Sequence, residues 1–291
     1  MRAAPGPERG AARAYLSDDA AGAAERPQQK ASSLMKRVLV TGSGGTIGRA
    51  VWEHLGERYT LVGLDRAAGE RVEQVADIAD LDAIQPAFAG ADAVVHLAAT
   101  VSVESPWADV LHSNLIGTYN VYEAARRAGV PAVVFASSNH AVGMYEVEAS
   151  PSIYALDDPR SIDWRVDVRP DSYYGVSKAY GEDLGRYYVE NHGLRVTCLR
   201  IGSVRADDDP RSPAAAASSG WLPLTPAQVY ERLRATWLSQ RDCAQLIGCC
   251  LDAEQVKFGI YYGISNNPRQ FWDLSNAREE IGYAPQDSAP S

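Results

Sequence analysis

The chain has 291 residues, enough to bury a sizeable core, with 46% hydrophobic and 22% charged residues. A formal net charge of −9 disfavours non-specific binding to nucleic acid and to anionic membrane. No apolar run approaches the roughly 20 residues that span a bilayer, so neither nucleic acid nor membrane is expected as a partner.

Residues 1–34, rich in Ala, Arg, Pro and Ser, lack both hydrophobic periodicity and the apolar centre of a signal peptide. They are expected to form a disordered extension, with the working chain starting at Met35 in a cytoplasmic setting. From there apolar runs read as buried parallel strands: RVLVTG (37–42), YTLVGLD (59–65), ADAVVHLAA (91–99), AVVFASS (132–138) and LRVTCLRIG (194–202). Amphipathic segments at 47–55, 81–88, 110–128 and 174–191 alternate with them. This is the α/β class, a Rossmann-type doubly wound parallel sheet with right-handed crossovers. The expected division is an NAD-binding core over 35–204 and a small C-terminal substrate-binding lobe over 205–291 with elements returning to the core. Segments 146–171 and 205–226 break the repeat and read either as solvated excursions or as a lid. The four cysteines form no CxxC pair and read as buried reduced thiols. The five histidines show no metal-ligand spacing, so no metal is expected.

Three constellations carry chemistry. In VTGSGGTIGR, Gly42 suits a tight turn, Gly45 a close approach of backbone to a pyrophosphate, and Gly48 tight helix–strand packing. The N–H groups of Thr46, Ile47 and Gly48 then open a helix N-terminus toward the phosphates. Asp65 ends the next strand, where a carboxylate accepts from ribose hydroxyls and repels a 2′-phosphate; this favours NAD over NADP, with Arg66 beside it the counter-signal. The alternative role of Asp65 is a loop cap. FASSNH ends a strand in Ser137, Ser138, Asn139 and His140, with no acid among them. Finally, RPDSYYGVSKAYGE puts Tyr174 and Lys178 on one helical face, where an ammonium favours the phenolate of a tyrosine that otherwise titrates near 10.

Together these resemble the extended short-chain dehydrogenase/reductase family over essentially all of 35–291. The resemblance implies Ser138, Tyr174 and Lys178 as the catalytic set, with Ser137 replacing Ser138 if the alignment slips by one. It implies that Asp77 and Ile78 contact adenine, that Leu97, Ala98 and Ala99 of HLAA line the cofactor, and that Asn114 and Ile201 belong to the same site. FASSNHAVGMY, SYYGVSKAYGE, CLRIGS and ATWLSQRD resemble the uronate dehydrogenases and their NAD-dependent glucose-6-phosphate dehydrogenase relatives. That likeness implies NAD-dependent oxidation of the anomeric hydroxyl of a hexose with a C6 anion to a lactone. It also implies sugar contacts from Ser102, Ser138, Asn139, His140 and Tyr174, an anion clamp at Arg232 (or Arg241), and a homodimer or higher homo-oligomer built through helices 110–128 and 174–191. His140 as a structural strand-end residue and Arg232 as a surface arginine are the competing readings. A nucleotide-sugar epimerase and a non-catalytic dinucleotide-binding protein are the competing functions. The lack of a carboxylate after Ser138 disfavours dehydration, which needs a further acid and base.

Overall fold

Successive residues of a strand point to opposite faces of a sheet, and the apolar runs supply both faces with core. Val38 and Val40 join one buried cluster with Val95, Val134 and Leu199. Leu39 joins the other with Val94, Val133 and Val196. The computed structural model describes residues 35–211 and 222–290; the expected disorder of 1–34 and part of the 205–226 insertion lie outside these.

The strands are β1 (Arg37–Thr41), β2 (Thr60–Asp65), β3 (Gln74–Val75), β4 (Ala93–His96), β5 (Ala132–Ser138), β6 (Arg195–Ile201) and β7 (Phe258–Gly263). They form one sheet in the order β3-β2-β1-β4-β5-β6-β7, every neighbouring pair parallel. The chain leaves β1 toward one edge and returns to β4 to build the other half. That reversal opens a crevice beyond the carboxyl ends of β1 and β4. Buried His96 sits at this point with its ring nitrogens 2.8 Å from Thr41 Oγ1 and 3.2 Å from Thr118 Oγ1. Burial, reinforced by the Lys178 charge, pushes its pKa down to about 3, so it is neutral.

Helices α1 (Thr46–Leu55) and α7 (Gln240–Asp252) cover one face. Helices α3 (Gly117–Ala128) and α5 (Tyr173–His192) cover the other. Further helices among the described residues include α2 (Leu81–Ile84), α4 (Met144–Ala149), α6 (Pro226–Thr236) and α8 (Ser275–Ile281). Two expected helices are broken: 81–88 ends as a 3₁₀ turn at Gln85–Phe88, and 110–128 begins as a π-helical stretch, Val110–Ile116. Segment 146–171 is not a solvated excursion. Ile153, Tyr154 and Ile162 are buried, and Ile162 bridges to Trp272. Cys198, Cys243 and Cys250 are buried, and all four cysteines are free. No helix among the described residues is long and apolar enough to cross a membrane.

Candidate active site

A cleft of about 780 Å³ lies beyond the carboxyl ends of the strands at the chain reversal. It is lined by every residue named from the sequence as a site candidate except Asn114 and Arg241. Asn114 is buried outside the lining; its side chain donates to Thr100 O and Ser177 Oγ and accepts from the Thr100 N–H, bracing the wall. No residue from 144 to 171 lines the cleft.

The glycine turn fits a dinucleotide. Gly42 has φ +73°, and a Cβ there would fall 2.6 Å from Ala98 N; the turn is open to glycine alone. At Gly48 a Cβ would fall 2.4 Å from Ser43 O, which fixes the close approach of α1 to the turn. Gly45 is the N-cap of α1 and gives no side-chain cap, so the first-turn N–H groups are left to a ligand. Asp65 accepts from the N–H groups of Gly44 (3.0 Å) and Ala67 (3.3 Å) and still lines the cleft, so it both braces the turn and faces the ligand. Asp77 lines the cleft beside Ile78, with Oδ2 2.9 Å from His112 Nε2.

Tyr174 and Lys178 stand in the first turns of α5, whose N-cap Ser172 accepts from Gly175 N–H. Lys178 Nζ donates to Ala136 O at 2.7 Å and lies 5.5 Å from the Tyr174 ring centre. The expected lowering of the tyrosine is not what the protein alone produces. Burial pushes Tyr174 up to about 12, against the opposing hydrogen bond of Ser138 and with Asp171 adding to the rise. Burial likewise pushes Lys178 down to about 7, with Glu182 acting the other way. Desolvation dominates both shifts because both groups are enclosed. Ser138 ends β5 and accepts from His140 N–H at 3.3 Å. Ser137 also lines the cleft, yet its hydroxyl is taken up 2.6 Å from Glu182 Oε1. Glu182 in turn receives two guanidinium bonds from Arg200 of β6, at 3.0 and 2.8 Å. This distinguishes the serines: Ser137 anchors, and Ser138 is the one beside the tyrosine.

His140 lines the cleft and is also held from within the protein. Its Nδ1 lies 2.6 Å from Oδ2 of Asp171, whose side chain is 1% exposed and also accepts from Ser172 Oγ at 2.8 Å. Two glycines admit this contact. A Cβ at Gly143 would fall 1.8 Å from Asp171 Oδ2, and one at Gly175 would fall 2.3 Å from His140 O. The start of α5 thus packs directly on the Ser-Asn-His turn.

Helix α6 begins with a capping box, Thr225 and Gln228, and Pro226 in the first turn. It carries Arg232 to the cleft wall, only 6% exposed, which rules out a surface arginine. The fork is not left whole for a ligand anion: Nε lies 2.7 Å from Glu146 Oε1 and Nη2 3.4 Å from Oε2. Tyr154 OH donates to the same Oε1 at 2.9 Å. Arg241 pairs with Asp287 instead, half exposed. Ser102 lines the cleft with its hydroxyl accepting from Glu104 N–H.

Sequence reasoning missed Asp171, Glu146 and Glu182, and the lining residues Ser203 and Arg205. Asp171 carried a signal, a carboxylate three residues before the tyrosine and beside the helix cap; Glu146 carried none, because its partner lies 86 positions away.

Known proteins are similar to this chain over most of its described length. The model of the NAD dependent epimerase/dehydratase family matches residues 38–230. The chain is 39% identical over 263 residues to the NAD-dependent glucose-6-phosphate dehydrogenase of Haloferax volcanii, covering 87% of this chain and 94% of the relative. It is 35% identical over 260 residues to the uronate dehydrogenase of Pseudomonas syringae pv. tomato, covering 87% and 82%. A crystal structure of a uronate dehydrogenase mutant from Agrobacterium tumefaciens complexed with NAD superposes with a TM-score of 0.70 at 33% identity, covering 88% of this chain and 86% of that one.

Proposed function

The chain belongs to the NAD dependent epimerase/dehydratase family, and from that premise we propose that it is an NAD-dependent sugar dehydrogenase. It oxidises the anomeric C1 hydroxyl of a hexose carrying a C6 anion to the lactone. The observation that carries this reading is the meeting of Ser138, Tyr174 and Lys178 in one cleft with the uncapped N-terminus of α1. Relatives 35–39% identical that are named for oxidising anionic sugars support it.

NAD, held by the glycine turn, the first turn of α1 and Asp65, supplies the hydride acceptor. Tyr174 takes the proton of the C1 hydroxyl, and Ser138 hydrogen-bonds the same oxygen. Lys178 holds the nicotinamide ribose, and its charge lowers the cost of forming the phenolate. Asn139, His140 and Ser102 fix neighbouring sugar hydroxyls, and Arg232 faces the C6 anion. The segment 35–204 acts as the NAD-binding part, and 205–291 supplies the substrate wall through Arg232. The four free thiols fit a reducing compartment, and we assign the protein to the cytoplasm. Exposed Tyr119 on α3 and Tyr173, Val176 and Tyr187 on α5 support a homodimer built on those helices; a monomer mass by light scattering would reject it.

The test is a panel of glucuronate, galacturonate, glucose 6-phosphate and sulfoquinovose with NAD and with NADP, read as reduced-cofactor absorbance. Reduction of NAD by one or more of these sugars is expected. No reduction, together with interconversion of a UDP-sugar, would replace the reading by epimerase.

A further inference from the structure

Arg232 stands at the cleft wall with Glu146 directly behind it. Glu146 is fully buried, accepts from Arg232 Nε and Nη2, and accepts from Tyr154 OH as well. Arg232 lines the cleft; Glu146 and Tyr154 do not. A ligand anion at this wall therefore meets a guanidinium whose charge is already balanced by a carboxylate one side chain deeper.

From this arrangement we infer that Glu146 is a specificity-determining residue: it offsets the Arg232 charge and so sets how strongly the cleft prefers an anionic sugar over a neutral one. The inference rests on the reading that the Arg232 wall receives the sugar. The Coulomb energy falls only as the inverse of distance, and in a protein interior it is far less damped than in water. A buried carboxylate a few ångströms behind the arginine thus opposes an incoming anion nearly as effectively as the arginine attracts it. Glu146 also aims the guanidinium, and the two roles separate chemically. Glutamine keeps an oxygen to accept from Arg232 Nε and deletes the charge alone.

The experiment measures calorimetric dissociation constants of glucuronate, glucose 6-phosphate and glucose for the NADH-loaded protein, which binds these sugars without oxidising them. The variants are Glu146→Gln, Arg232→Met and the double variant Glu146→Leu/Arg232→Met. Glu146→Gln is expected to tighten both anionic sugars about tenfold relative to glucose. Arg232→Met, which leaves Glu146 bare, is expected to weaken them by more than about tenfold with glucose little changed. The double variant is expected to restore the wild-type ratio to within about threefold, because a balanced pair and two neutral side chains look alike to an anion. Its apolar side chains leave no buried charge, so it carries the test if a single variant does not fold.

An equal effect of Glu146→Gln on all three sugars overturns the inference. So does a double variant whose anion preference falls tenfold, or the absence of binding by any of the sugars to the wild type. Absorbance of reduced NAD on parallel samples given NAD reads the proposed reaction separately: shifted selectivity without reduction rejects the reaction and keeps the role of Glu146.

Discussion

Gly143→Ala is a one-methyl substitution whose outcome depends on the His140–Asp171 contact. Gly143 has φ −62° and ψ −24°, a right-handed helical geometry that alanine adopts without strain. On backbone grounds alone, alanine should stabilise by roughly 0.5–1 kcal/mol. The added Cβ, however, would lie 1.8 Å from Asp171 Oδ2 and 2.5 Å from its Cγ. The carboxylate is 1% exposed and tied to His140 and Ser172, so it cannot swing into solvent without breaking both bonds. Losing a charge-assisted bond of about 1.5–3 kcal/mol and a second of about 1 kcal/mol outweighs the backbone gain. The net expectation is destabilisation of about 2–3 kcal/mol by urea denaturation. Release of the imidazole should lower kcat/KM about 10- to 100-fold, since misplacing a positioning group by an ångström costs that much. A variant as stable as the wild type, with unchanged kcat/KM for the sugar it oxidises, would refute the reasoning.

Tyr174→Phe should abolish NAD reduction while NAD affinity by fluorescence titration stays within about threefold; residual turnover above about 1% removes the tyrosine as base. Lys178 titrates near 7 when folded and near 10.4 when unfolded, so unfolding takes up a proton between those values. Wild-type stability from this group therefore rises with pH from 7 toward 10. Lys178→Met should be about 2–4 kcal/mol more stable than wild type at pH 7, inactive, and free of that slope; an equally steep slope in the variant contradicts the assignment. Glu182→Leu leaves Arg200 bare among buried neighbours and should cost about 3–5 kcal/mol, whereas Glu182→Leu combined with Arg200→Met should cost clearly less. Equal losses would mean the ion pair is not what fails.

The parts of the molecule set by local pattern were legible in the amino-acid order. The turn at Gly42–Gly48, the acid at Asp65 and the Tyr174–Lys178 spacing each follow from rules that act within a few residues, and all line one cleft. Strand β7 reads FGIYYG, where glycines and tyrosines blur the apolar signal, and β3 is two residues long; both are fixed by register against neighbours rather than by their own sequence. The buried role of Glu146 was invisible for a related reason. In MYEVEA it looks like a solvated acid, and only α6 arriving from far along the chain makes its burial affordable. The raised Tyr174 pKa was missed because spacing reveals the nearby ammonium and says nothing about how completely the pair is enclosed.

The direct seating of Gly175 on the carbonyl of His140 has a consequence for redesign. On the proposed reaction, His140, which meets the sugar, and the helix that carries the proton-taking Tyr174 touch backbone to backbone, with no side chain between Gly175 and that carbonyl. On that reading, substrate scope and turnover are mechanically coupled along the Ser-Asn-His turn. Any attempt to retarget the protein there will trade one for the other. Arg232, carried by α6, stands outside that contact, and on the same reading it is where new sugars can be admitted with the proton-transfer geometry left intact.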